Sequence, residues 1–151
     1  MASNCYGYAL GLDLGICPGT RHGRESEVSK WSKGSKKYPF IDRQKDVLYR
    51  ACLSDGLRLA DSSRRQIAMF VHRYEGCIDF HFYRLDVANG NSWSMKDSYE
   101  GETTERIRDP IQHDRGLVGT KLVHGTLVGQ KYAGLLYLPS GDNMQGGWTQ
   151  D

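Results

Sequence analysis

Residues 66–96 read QIAMFVHRYEGCIDFHFYRLDVANGNSWSMK, and this stretch decides the fold. Residues 66–72 and 78–86 are rich in β-branched and aromatic side chains, and a Tyr-Glu-Gly turn lies between them, which is typical of two antiparallel strands. Asn89-Gly90 is a strong signal for a hairpin turn, and residues 92–96 then follow as a third strand. The sequence therefore predicts a three-stranded antiparallel meander.

The segments around the meander predict two helices and one further strand. Residues 5–14 place apolar side chains at helical spacing, with Asn4 as a favoured N-cap and Gly15 as the predicted stop. Residues 43–57 carry a second apolar helical face, and residues 131–139 (KYAGLLYLP) predict a final strand that enters the core. Helices first and a sheet afterwards predict an α+β fold.

Length and composition limit the class of protein. The chain has 151 residues, which suits one compact domain at residues 1–140, and the polar tail 141–151 is predicted to be flexible. A hydrophobic content of 38% argues against bulk disorder, and a net charge of +2 is too small to make nucleic acid the expected partner.

Targeting signals are also weak. The sequence contains neither a run of about 20 apolar residues that would span a membrane nor a recognisable secretory signal. We therefore expect a soluble chain made in the cytoplasm, without a membrane partner. If it is exported, we expect a route without a classical signal peptide.

The cysteine spacing argues against a metal or thioredoxin-like site. No C-x-x-C pair occurs among the four cysteines, which are Cys5, Cys17, Cys52 and Cys77. The default for such thiols is burial in the core, and Cys52 fits that interpretation best. Zinc binding by His72, Asp79 and His81 would need a favourable strand register. We therefore predict no metal and no cofactor.

Cys5 is the cysteine whose position differs from the others. It lies in the first turn of the first predicted helix, where unpaired backbone N–H groups lower a thiol pKa. These N–H groups, including that of Tyr6, can also bind an oxyanion, and the side chain of Asn4 can add a donor. A cysteine on a helix is nevertheless more often a core residue, so catalysis also needs a base.

His81 is the predicted base, because it lies in the middle of an aromatic strand that would hold the imidazole rigidly. A two-residue hairpin turn would pair Leu85 with Ser94, which places Ser94 on the face of His81 but farther along the strand, so that it reaches the imidazole only in a different register. We therefore predict Ser94 as the residue that orients the imidazole, with Asp79 and Asn91 as alternatives.

A cysteine at the start of the first helix followed by a histidine on a central strand resembles the papain-like hydrolases of the NlpC and CHAP kind. Short words along the chain are also similar to a bacterial group in that clan. In order, they are NCYGYAL (4–10), SDGL (54–57), DFHFYRLD (79–86), SWSMK (92–96), RDP (108–110) and YAGLLYLP (132–139). Together they span nearly the whole chain.

The resemblance implies a papain-like α+β fold in which Cys5 attacks an amide carbonyl and His81 acts as base. The implied substrate is a peptide, a protein or peptidoglycan. One departure is Met95, which stands where the family pattern leads us to expect a second histidine. The orienting residue is therefore open.

Several biological roles are compatible with this chemistry. A small hydrolase that is exported without a classical signal peptide is compatible with a toxin or effector, which an immunity or inhibitor protein would inhibit. A binding module on the same fold without catalysis is the main alternative, and Met95 favours it. A thiol-dependent transferase or deamidase is a third.

Overall fold

The structure is a computed structural model, and it describes residues 3–23, 25–33, 40–59, 65–74, 77–86, 92–96, 103–107, 110, 119–123, 126–139 and 144–148. Within these ranges, helices pack against one face of an antiparallel sheet. The predicted α+β layout is confirmed.

In the described residues that precede the sheet there are two α-helices, α1 (Cys5–Leu10) and α2 (Ile41–Ser54), with a 3-10 helix (Val28–Lys33) between them. Six strands follow, namely β1 (Gln66–Tyr74), β2 (Cys77–Asp86), β3 (Ser92–Lys96), β4 (Thr103–Ile107), β5 (Gly119–Val123) and β6 (Thr126–Tyr137). They form one sheet of order β4-β3-β2-β1-β6-β5, with every pairing antiparallel.

The predicted meander is present as β1, β2 and β3, and β4 extends it by one strand. The final strand was predicted at residues 131–139, and β6 starts earlier and inserts beside β1 in the interior of the sheet. The sequence between residues 97 and 129 is polar and left β4 and β5 unassigned. Both of these strands lie at the edges of the sheet, where an apolar pattern is not required.

The central strands β1 and β2 bury side chains on both faces of the sheet, and each face carries its own apolar cluster. The face that packs on the helices, here called the helix face, holds Ile67, Met69, Val71, Ile78 and Phe82. The opposite face, here called the far face, holds Ala68, Phe70, Tyr83 and Trp93. Because both faces are covered, β1 reads as a continuous apolar run rather than as an alternation.

Helix α1 is shorter than predicted. The prediction continued to Leu14, whereas Gly11 adopts the left-handed conformation with φ 78° and ends the helix. The N–H of Gly11 caps the carbonyl of Tyr8, and the chain then folds back so that the Leu14 carbonyl lies against Gly7. This close approach leaves no room for a side chain at Gly7.

Helix α2 spans residues 41–54 instead of the predicted 43–57 and packs on β1 and β6. Leu48 and Cys52 on its inner side are fully buried, so the prediction of Cys52 as a core residue is confirmed. Within the described ranges, no helix has the length and apolar character that crossing a membrane requires.

Residues 144–148, which belong to the tail that the sequence predicts to be flexible, contact α1 and the loop after it. Met144 is 4% exposed, and Trp148 Nε1 donates to the Met144 carbonyl at 2.6 Å. The Trp148 ring meets Tyr6 edge-on, with centroids 5.9 Å apart. Arg21 Nε donates to the Gly146 carbonyl. These contacts fasten the tail to α1 and the loop after it.

Candidate thiol site

Asn4 fixes the start of α1. Its Oδ1 accepts from the N–H of Gly7 at 2.9 Å and from that of Ile16 at 3.3 Å, and its Nδ2 donates to the Ile16 carbonyl at 2.6 Å. The amide therefore caps the helix and joins it to the loop that follows. This engagement corrects the predicted oxyanion role of Asn4, because the side chain is turned toward the main chain.

The Cys5 thiol lies against the main chain of β2. Cys5 is 6% exposed, and its Sγ is 3.9 Å from the carbonyl oxygen of Phe80, a weak contact between residues far apart in sequence. No disulfide joins the four cysteines. The fold thus brings a thiol from the first turn of α1 to the peptide that immediately precedes His81.

The side chain of His81 projects from β2 on the far face. His81 pairs across the ladder with Phe70, and its ring meets that of Tyr83 at 4.8 Å between centroids. Its Nε2 is 2.9 Å from Met95 Sδ, and the residue is 0% exposed. Cys5 belongs instead to the cluster of the helix face. The side chains of Cys5 and His81 therefore lie on opposite faces of β2, so the structure does not bring the predicted pair together, and their hydrogen bond stays a prediction.

The predicted orienting role of Ser94 is wrong, because the hairpin register differs by one residue. Ser94 pairs with Arg84, and Leu85 pairs with Trp93. A shift of one residue moves a side chain to the other face of a sheet. Ser94 consequently faces α1, where its Oγ accepts from Tyr8 Oη at 2.9 Å and donates to an Asp86 carboxylate oxygen at 2.8 Å.

Loop parity explains the register. Asp86 pairs with Ser92, so the connection 87–91 between them has an odd number of residues. A two-residue turn would require an even number of residues between any two paired positions. The predicted Asn89-Gly90 turn and the alternative residue Asn91 lie outside the described residues. Met95 takes the place beside His81 that the prediction gave to Ser94.

The side chain of Tyr6 is part of the core, and this leaves the predicted oxyanion role to its main-chain N–H. Tyr6 is fully buried, stacks on Phe82 at 4.6 Å and donates its hydroxyl to Asp55 Oδ2 at 2.6 Å. Burial, together with the nearby Cys52 and Asp55, raises the pKa of the phenol well above its usual value. Only its main-chain N–H remains a candidate oxyanion donor.

Asp55 connects three segments, and the sequence reasoning missed it. Its carboxylate accepts from the Tyr6 hydroxyl, from the N–H of Gly19 at 2.7 Å and from that of Arg21 at 3.1 Å. Burial raises the pKa of Asp55, and these hydrogen bonds partly oppose that shift. The only indication of its importance in the sequence was its place in the SDGL motif, which does not by itself predict a chemical role. Asp55 joins α1, the loop at residues 19–21 and the end of α2.

A second polar network holds the other end of α1. Arg84 Nη1 donates to the Tyr8 carbonyl at 2.7 Å, and its guanidinium lies 3.9 Å from the centre of the Tyr8 ring. Arg84 also forms an ion pair with Asp86 at 3.1 Å. Since both ends of α1 are anchored, Cys5 is held in a fixed position against β2.

The remaining thiols and histidines offer less chemistry. Burial and the neighbouring Asp55 raise the pKa of the Cys52 thiol, which keeps it protonated. His72 Nε2 is 3.8 Å from Asp79 Oδ2 on the far face. In the part of the chain that the structure describes, no three histidine, cysteine or acidic side chains are grouped to hold a metal ion.

Comparisons with family models, with curated proteins and with solved structures find no match to this chain. The thiol at α1 and the residues of β2 and β3 near it are therefore the features from which a function can be inferred.

Proposed function

We propose that this protein is a cysteine-dependent amide hydrolase with a papain-like site, acting on a peptide, a protein or peptidoglycan. The observation that carries the proposal is the 3.9 Å contact between Cys5 Sγ and the Phe80 carbonyl. This contact brings the anchored Cys5 thiol to Phe80, the residue that precedes His81 in β2, although Cys5 and Phe80 lie far apart in sequence.

The proposed chemistry follows from the tautomer of His81. A thioether only accepts hydrogen bonds, so the contact with Met95 favours the form in which Nε2 carries the proton. Nδ1 then has the lone pair that takes the Cys5 thiol proton. The thiolate attacks the carbonyl, the imidazolium returns its proton to the leaving amine, and water hydrolyses the acyl-enzyme.

The geometry sets one requirement for this reaction. Because the side chain of His81 lies on the far face and that of Cys5 on the helix face, β2 must change its local conformation or register before Nδ1 can come within hydrogen-bonding reach of Sγ. The main-chain N–H groups of Cys5 and Tyr6 would then stabilise the oxyanion.

Alkylation by iodoacetamide with peptide mapping tests the thiol. Cys77 is the matched control, because it is more exposed than Cys5 and lies at the start of β2. Exposure alone would make Cys77 react faster, whereas an activated Cys5 reacts faster below pH 8. We expect His81→Asn to remove that advantage. If Cys5 reacts more slowly than Cys77 across the pH range, the nucleophile is misassigned.

The substrate class is tested by directing the chain to different compartments. A peptidoglycan amidase is expected to lyse bacteria when sent to the periplasm, and to leave them intact when kept in the cytoplasm. Cys5→Ala should abolish lysis at equal protein levels. Lysis by Cys5→Ala would rule out thiol catalysis, and a protein that rescues periplasmic expression would identify the proposed inhibitor.

A binding module without catalysis is the second candidate, and Met95 is the observation that favours it. A thioether stabilises an imidazolium far less than a histidine or amide acceptor would. In this case Cys5→Ala retains full binding to cell-wall sacculi, and the wild-type protein releases no amine from them. Amine release that depends on Cys5 would exclude this candidate.

A further inference from the structure

Met95 is a methionine in direct contact with a buried histidine and also partly open to solvent. Its Sδ is 2.9 Å from His81 Nε2. Among the described methionines, Met69 is 0% exposed and Met144 is 4% exposed, while Met95 is only half-buried. A dissolved oxidant therefore reaches Met95 before it reaches the other two.

Oxidation would change what Met95 offers to His81. A thioether sulfur is a weak hydrogen-bond acceptor, whereas a sulfoxide presents a polar oxygen. With hydrogen peroxide, a sulfur lone pair forms the new S–O bond, the O–O bond breaks, and the second oxygen leaves as water. The sulfur is oxidised and the peroxide is reduced, so no further reactant is needed.

We propose that Met95 is a site of reversible oxidation, and that its sulfoxide strengthens the hydrogen bond that holds Nε2 of His81. Met95 would then sense peroxides and adjust the imidazole. The effect on catalysis rests on the proposed hydrolase, whereas the modification site rests on the Met95–His81 contact.

The added oxygen requires a movement of the Met95 side chain. The sulfur must withdraw by roughly 1 Å for an oxygen to take up ordinary hydrogen-bonding distance from Nε2. Methionine has three rotatable side-chain bonds, and this one reaches solvent. The ladder between β3 and β4 also shifts register between Trp93 and Met95, so the backbone there is already irregular.

The direction of the effect follows from charge. An oxygen acceptor stabilises the imidazolium more than the neutral ring, so oxidation raises the basicity of His81. The other groups on the far face are the same in the oxidised and the unoxidised protein. Among the described residues they include Tyr83 and Asp79 on β2, Phe70 and His72 on β1, and Gln130 on β6.

The test is a histidine NMR titration in a Cys5→Ser background, which removes the candidate nucleophile from the reaction with peroxide. Hydrogen peroxide is added, the remaining thiols are re-reduced, and mass spectrometry identifies which methionine has gained oxygen. We expect oxidation at Met95 before Met69 and Met144. The His81 pKa should rise by about one unit, and methionine sulfoxide reductase should reverse the rise.

Two variants separate the hydrogen bond from general damage. Met95→Leu keeps the volume but cannot be oxidised, so peroxide should leave the His81 titration unchanged. Met95→Gln supplies a permanent oxygen acceptor and should raise the His81 pKa without peroxide. If oxidation unfolds the protein, the titration of Met95→Gln alone tests whether an oxygen acceptor at this position raises the His81 pKa.

The proposal is overturned if Met69 or Met144 is oxidised first, or if neither the sulfoxide nor Met95→Gln changes the His81 titration. A rise in the His81 pKa supports it even without catalysis. If that rise leaves the alkylation rate of Cys5 in the wild-type background unchanged, the proposed hydrolase fails and the oxidation site stands.

Discussion

The thiol sulfur of Cys5 lies 3.9 Å from the carbonyl oxygen of Phe80, although 75 residues separate them in the sequence. The anchors at both ends of α1 produce this contact, with Asn4 and Asp55 near the start of the helix and Arg84 at its end. The position of the thiol is thus a consequence of polar networks that do not themselves carry chemistry.

Replacing Met95 with histidine should increase the reactivity of the thiol. A histidine at this position can stabilise the His81 imidazolium through a charge-assisted hydrogen bond, which a thioether does poorly. We expect about a tenfold rise in the rate of Cys5 alkylation at pH 7 and a matching rise in any Cys5-dependent hydrolysis. Met95→Leu is the control and should not increase either rate. Equal rates for the histidine and leucine variants would show that this position does not act on His81.

Tyr6→Phe should destabilise the protein, because it removes the hydroxyl that donates to the buried Asp55 carboxylate. Loss of a hydrogen bond to a buried polar group costs about 1–3 kcal/mol in the free energy of unfolding. Urea denaturation monitored by circular dichroism measures this change. Tyr49→Phe is the matched control on α2, since Tyr49 is only partly buried, and its effect should stay below about 0.5 kcal/mol.

The stability of the protein should carry a pH signature from Asp55. Burial raises its pKa in the folded state, so folding favours the protonated carboxyl. Its contribution to stability is greatest below the unfolded pKa of about 4 and declines as the pH rises through the folded value. The stability difference between wild type and Asp55→Asn should therefore favour wild type less at pH 7 than at pH 4. A difference that grows toward pH 7 would contradict the assignment.

Trp148→Ala should loosen the C-terminal segment from α1. The substitution removes the edge-on contact of the Trp148 ring with Tyr6 and the hydrogen bond from its Nε1 to the Met144 carbonyl. We expect a loss of about 2 kcal/mol in the free energy of unfolding, below the usual figure for a fully buried tryptophan. Leu59→Ala, at an exposed apolar residue, is the control and should change stability by less than about 0.5 kcal/mol. Similar values for the two variants would mean that the tail is not docked in solution.

The sequence predicted the meander well, because β1 and β2 are rich in strand-forming residues and short turns separate the strands. It predicted β3 with its observed bounds, yet it gave β3 the wrong register, since register depends on whether the loop has an odd or even number of residues. That single difference moved Ser94 away from His81 and brought Met95 to it.

Other features depend on long-range contacts that no local pattern shows. Met144 is buried, and its sulfur accepts from Nη1 of Arg21 at 3.2 Å, a contact between residues far apart in sequence. Asp55 acquires its role only when Gly19 and Tyr6 meet it in the folded chain. The choice of Cys5 as the candidate thiol required only its place at a helix start, and that part was predictable.

A crystal structure of the protein with a peptidyl electrophile bound to the thiol would show whether Cys5 and His81 act together. Our account predicts the label on Cys5 and the Nδ1 atom of His81 within about 4 Å of its sulfur. A labelled Cys5 with the imidazole still on the far face of the sheet, pointing away from the adduct, would contradict it.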